Sequence, residues 1–68
     1  MDKLTQMLDY YISACERNSD RKMREAFYHQ ACGATEMFAL LNPQDENAVF
    51  DMWFITYRPQ FEQYVYGV

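Results

Sequence analysis

The chain has 68 residues, half of them hydrophobic and 18 % aromatic, and ordering them as one small domain costs on the order of 100 kcal/mol, which core burial alone barely offsets. A formal charge of −4 with a pI near 4.6 disfavours nucleic-acid binding by general phosphate neutralisation, and two cysteines are too few for a disulfide framework. No charged-then-apolar leader opens the sequence and no apolar run approaches the roughly 18 residues of a membrane span, so the expectation is a soluble cytoplasmic protein, without a membrane or a cofactor, supported by aromatic packing and oligomerisation.

Leu4, Leu8, Tyr11 and Cys15 recur at i, i+4, i+7 and i+11, flanked by Met7, Ile12 and Ala14, while Asp2, Gln6, Asp9, Ser13 and Glu16 take the other side. This spacing predicts a first helix over about 2–17. Tyr10 interrupts its polar arc. Asn18, Ser19 and Asp20 then supply a helix-ending residue and N-cap candidates, which predicts a tight turn and a helical hairpin.

Arg17, Arg21, Lys22 and Arg24 fall within eight positions and make one end of the molecule locally positive, a candidate contact for phosphate or an acidic partner. A helix-turn-helix DNA reader is the obvious comparison and fails on composition. Beyond its first turn the second helix exposes Glu25, Tyr28, Cys32 and Glu36 where a recognition helix needs basic and amide side chains.

That second helix, expected over about 20–41, places Met23, Ala26, Phe27, Ala31, Ala34, Met37, Phe38 and Leu41 on one arc, beside Gln30 and Gly33. Its core face is mostly small. Glycine costs about 1 kcal/mol relative to alanine inside a helix, so Gly33 suggests a bulky neighbour pressed against the backbone. Opposite this arc lie Glu25, His29, Cys32 and Glu36 at i, i+4, i+7 and i+11. Four such residues on one straight helix span about 16 Å and cannot all reach one metal ion, and the Glu-x-x-His and Cys-x-x-Cys spacings of established metal sites are missing. A solvated polar face is the plain reading, with His29 as a candidate pH-sensitive contact in an interface. Cys15 belongs to the core stripe, whereas Cys32 reads as an accessible thiol without an oriented base or oxyanion site. No catalytic constellation is present, and the chain does not read as an enzyme.

Asn42 as an N-cap, Pro43 at the first helical position and the carboxylates Asp45 and Glu46 predict the start of a third helix at Pro43. Val49, Phe50, Trp53, Phe54, Tyr57, Phe61, Tyr64 and Val65 form its core arc. Pro59 removes an amide and disfavours helical geometry at Arg58, so the helix should stop near Tyr57 or kink, with a short helix over 59–66. On the far side Ala48, Met52 and Ile55 align at i, i+4 and i+7, with Tyr66 beyond. A helix apolar on two faces calls for a second cover, since so small a chain has no second core.

Antiparallel pairing about the two turns sets Leu4 near Ala34, Tyr11 near Phe27 and Cys15 near Met23, then Phe50 near Phe38, Phe54 near Ala34 and Phe61 near Phe27. The sequence therefore predicts an all-α, compact three-helix up-down-up bundle, with helix 3 kinked or broken near Pro59. It has no internal repeat, low-complexity tract or linker. The functional expectation is a non-catalytic protein-interaction module that self-associates as a homo-oligomer, a dimer, or binds another protein. Ala48, Met52 and Ile55 would form the apolar centre and Tyr66 or Tyr10 the rim. The alternative is a small regulator that contacts nucleic acid through Arg17, Arg21, Lys22 and Arg24.

Overall fold

The structure, a computed structural model, describes residues 2–67. Helix accounts for 92 % of them and strand for none, so the class is all-α and the order of the elements decides the topology. Helix α1 spans Asp2–Arg17 and α2 spans Arg21–Leu41. A 3-10 turn at Pro43–Asp45 leads into α3 (Glu46–Met52), a π-helical turn over Trp53–Tyr57, and α4 (Arg58–Tyr66). The last three run on as one continuous rod, the third limb of an up-down-up bundle.

Local chemistry sets the two turns. Asp20 caps α2, its carboxylate accepting from the Lys22 amide at 2.9 Å, and Asn18 Oδ1 accepts from the Asp20 amide at 3.0 Å. A cap of this kind contributes about 1 kcal/mol. Asn42 departs from expectation. It holds the N-cap position ahead of Pro43, but its side chain makes no cap bond there; instead both its backbone amide and its Nδ2 donate to the Phe38 carbonyl at 3.0 Å, closing the end of α2. Helix 3 consequently opens on a 3-10 turn, tied by Asp45 N–H to Asn42 O at 2.9 Å.

Three side-chain contacts fix the register of α1 against the third limb. Thr5 Oγ1 approaches Met52 Sδ at 3.7 Å, Tyr57 OH donates to Asp9 Oδ1 at 2.7 Å, and Tyr64 OH donates to Glu16 Oε1 at 2.6 Å. Both sequence numbers rise together, so the two limbs are parallel with α2 antiparallel between them. The offset is 47 residues at the first contact and 48 at the other two. The extra residue is absorbed in the π turn, where Arg58 N–H bonds to Trp53 O five residues back rather than four.

The turn keeps one face inward. Val49, Trp53, Tyr57, Phe61 and Val65 are all buried at four-residue steps. In an uninterrupted α-helix each such step overshoots a full turn by about 40°, so that five residues would drift about 160° around the rod. The wider π turn takes back part of that drift. Pro59 follows directly, in the first turn of α4 where its missing amide is tolerated. The helix therefore does not stop at Tyr57, and the break expected near Pro59 takes the form of this π turn between α3 and α4.

The core comprises Leu4, Leu8 and Cys15 of α1, Ala31 and Ala39 of α2, and Val49, Trp53, Tyr57 and Phe61 of the third limb. The hairpin register agrees with expectation, with Tyr11 and Phe27 rings 6.1 Å apart and Cys15 Sγ 3.7 Å from Arg24 O, next to Met23. The face of α2 does not. Its buried residues are Ala31, Thr35 and Ala39, whereas Met23, Met37 and Leu41 are exposed. The ring that stacks on Phe61 is Tyr28, at 5.6 Å and 9°, rather than Phe27.

The helix is rotated toward the stripe that reads as polar, and the reason is steric. Trp53 and Phe61 fill the space between the limbs, so α2 must present its smallest side chains to them. Thr35 enters this dry interface because its hydroxyl donates to its own helix, at Ala31 O, 2.9 Å away. Gly33 plays no part in close approach: a Cβ there would meet nothing within 4 Å. Phe54, expected in the core, is 53 % exposed.

Candidate interaction surface

With α2 turned in this way, a cleft opens between it and the third limb. Its floor is Thr35 and Trp53, its walls are Tyr28, Phe50, Phe54 and Tyr66, and Cys32, Glu36, His29 and Arg58 stand around it, enclosing about 360 Å³. A second, shallower depression of about 190 Å³ continues it past Leu40, Pro43 and Glu46. Glu36 and Phe50 belong to both, so the two form one groove along α2.

The polar groups of the groove are held by neighbours. Tyr28 lies flat against His29 at 5.8 Å and against Phe61, and its hydroxyl reaches Glu62 at 3.5 Å. Arg58 pairs with Glu62 at 3.4 Å and lies over the Phe54 ring at 5.5 Å. Burial first, and the Glu62 carboxylate second, push the Tyr28 hydroxyl above its ordinary pKa. Cys32 Sγ approaches Glu36 at 3.6 Å, and burial together with that carboxylate raises the Cys32 pKa. The thiol is thereby kept protonated, the reverse of what a nucleophile or metal ligand requires. Cys15, fully buried, is raised by burial as well.

The stripe Glu25, His29, Cys32 and Glu36 resolves into two separate pairs, His29 with Glu25 at 3.7 Å and Cys32 with Glu36. Among the described residues no three His, Cys, Asp or Glu side chains converge as a metal site would require. No helix among them is long and apolar enough to cross a membrane.

The expected apolar stripe on the back of helix 3 is divided. Ala48 is exposed and Ile55 is 76 % exposed, but Met52 is half-buried against the core and touches Thr5 of α1. Tyr66 is half-exposed at the mouth of the cleft, its ring edge-on to Tyr28. Tyr10, 61 % exposed, leans edge-on against Tyr11 of α1, a helix that contributes nothing to the groove.

The basic cluster is also divided. Arg17 and Lys22 are exposed, whereas Arg24 donates to Tyr64 O at 2.8 Å and Asn18 O at 2.8 Å, and Arg21 donates to Val65 O at 2.9 Å. The Gly67 amide, in the left-handed conformation that ends helices, takes Gln63 O at 3.0 Å. Three carbonyls that the end of α4 leaves without helical partners are satisfied in this way, two of them by guanidinium groups suited to the negative pole of a helix.

Leu40 and Thr35, which the periodicity did not single out, line the groove together with Tyr28, expected to be exposed, and Phe54, expected in the core. The available signal was the small, evenly spaced Ala31, Thr35 and Ala39, which marks a close helix contact and implies the rotation that exposes Leu40. No protein-family model, curated protein or solved structure matches this chain.

Proposed function

We propose that this protein is a non-catalytic interaction module that self-associates through the groove side of α2 and helix 3. One observation carries the reading. Leu40, Phe54, Ile55 and Tyr66 are each at least half-exposed, and all but Ile55, which follows Phe54 directly, border one continuous groove. Apolar area of this extent on so small a chain marks an association site, and aromatic anchors dominate such sites. The proposal keeps Ala48, Ile55 and Tyr66 as contacts and moves the centre from Met52 to Phe54 and Leu40. It takes the protein to be cytoplasmic, in keeping with two unpaired thiols.

Nothing in the surroundings of Arg17 and Lys22 favours the nucleic-acid alternative, because Arg21 and Arg24 already serve α4. Glutamate at Leu40 or at Ile55 tests the reading directly. Sedimentation velocity of L40E and I55E should show loss of the associated species at unchanged helicity. Wild-type mass in both variants would eliminate this surface.

A further inference from the structure

Charge is distributed unevenly along the groove. Between Glu25 and Arg58 the chain contains no lysine or arginine, and Glu36, Asp45, Glu46 and Asp51 all fall in that interval. The up-down-up path collects these carboxylates where α2 ends and α3 begins. Arg21, Lys22 and Arg24 gather at the opposite end, where α2 begins and α4 ends, and Arg58 opens α4 on the way there, with Glu25 and Glu62 interspersed among them. Glu36 borders both parts of the groove, Glu46 borders only the shallower part, and Arg58 borders only the deeper one.

We infer that the occupant of the groove is a second copy of this chain, laid antiparallel so that Glu36 of each copy faces Arg58 of the other. The inference rests on the self-association proposed above and adds its geometry. Antiparallel stacking about a two-fold axis places each acidic end over a basic end, whereas parallel stacking places like charges together. The spacing fits such an axis. Glu36 lies four residues beyond Cys32 along α2, and Arg58 four residues beyond Phe54 along the third limb, each about 6 Å from an axis through the Cys32 and Phe54 level and in opposite directions. Leu40 and Tyr66 then exchange places across the interface, an aliphatic anchor against an aromatic one.

Size supports a side-by-side arrangement. The molecule measures 37 × 19 × 16 Å, so a long side covers about 700 Å² and an end only about 300 Å², against the roughly 600–1,000 Å² per partner of stable interfaces. The existing Arg58 to Glu62 pair does not compete strongly, because water reaches both partners, Arg58 at 46 % and Glu62 at 30 % side-chain exposure.

The test is a charge exchange between chains. E36R alone and R58E alone each juxtapose like charges twice per dimer and should weaken self-association at least tenfold. An equimolar mixture of the two restores both contacts and should recover a dimer, detected as a heterodimer by native mass spectrometry. E46K provides a second acidic-end variant on an exposed residue, expected to weaken association in the same direction, and circular dichroism checks that each variant keeps its helices. Variants that dimerise as the unmodified chain does, or a mixture that stays monomeric, would overturn the antiparallel geometry. If the unmodified chain still dimerised in those experiments, self-association would stand. A monomeric unmodified chain would overturn both.

Discussion

The hydroxyl of Tyr57 donates to Asp9 Oδ1 at 2.7 Å, joining the π turn of the third limb to the middle of α1. Tyr57 is otherwise buried, and the contact stands one residue out of step with Thr5 and Met52 before it. The π turn is thus the means by which an aromatic residue keeps facing α1 beyond Met52, and the hydrogen bond anchors it there.

Tyr57→Phe removes the donor while keeping the ring. A hydrogen bond to a charged acceptor contributes about 1.5–3 kcal/mol, but Asp9 is exposed and regains water. The expected loss is about 1–2 kcal/mol, read as a lower urea midpoint with an unchanged slope.

The same contact sets a pH dependence. Burial first, and the Asp9 carboxylate next, push the Tyr57 pKa up to about 12 from an ordinary value near 10. The folded state therefore holds the proton more tightly than the unfolded chain. Its stabilisation is fully present below pH 10 and is lost as pH rises through 12, a decline of about 2–3 kcal/mol. Burial at Tyr28 and the Glu16 hydrogen bond at Tyr64 act in the same direction. Denaturation midpoints measured between pH 9 and 12 should fall steadily for the native chain and more shallowly for Y57F.

Deleting Thr56, which is exposed within the π turn, should convert that turn to α-helix and leave the flanking faces in phase. Pro59 then lies in a helix interior, where its ring and missing amide cost about 3 kcal/mol. The deletion alone should therefore be strongly destabilised, and the deletion combined with Pro59→Ala should recover most of the loss in thermal melts. Equal stability of the two would refute this account of the π turn.

Arg24→Ala removes the bonds to Asn18 O and Tyr64 O together, leaving two helix-terminal carbonyls to water. A loss of about 2 kcal/mol is expected, with faster amide exchange concentrated in α4. Arg24→Lys should recover only part, since one ammonium lacks the fork that spans both acceptors.

The helices, the hairpin register and the Asn18 to Asp20 turn were legible because each depends on local spacing and capping chemistry. The face of α2 was not. Hydrophobic periodicity favours Met23, Met37 and Leu41, yet the wide rings Trp53 and Phe61 select small partners, and that choice depends on contacts between distant segments. Thr35 looks polar on a wheel but satisfies its own hydroxyl. The basic cluster held an unread clue. Arg21, Lys22 and Arg24 stand at the positive end of α2, where they oppose its dipole, so two of them serve the C-terminus of the neighbouring α4. The surface shifted accordingly, since α1 covers part of Met52 through Thr5 while the turned α2 leaves Leu40 and Phe54 open.

Absolute mass in solution, measured by light scattering behind a sizing column over micromolar concentrations, decides between a dimer and a monomer. Self-association through the groove should give a species of about twice the 8.2 kDa chain, weakening as salt screens the paired ends. A concentration-independent mass of 8.2 kDa would contradict it.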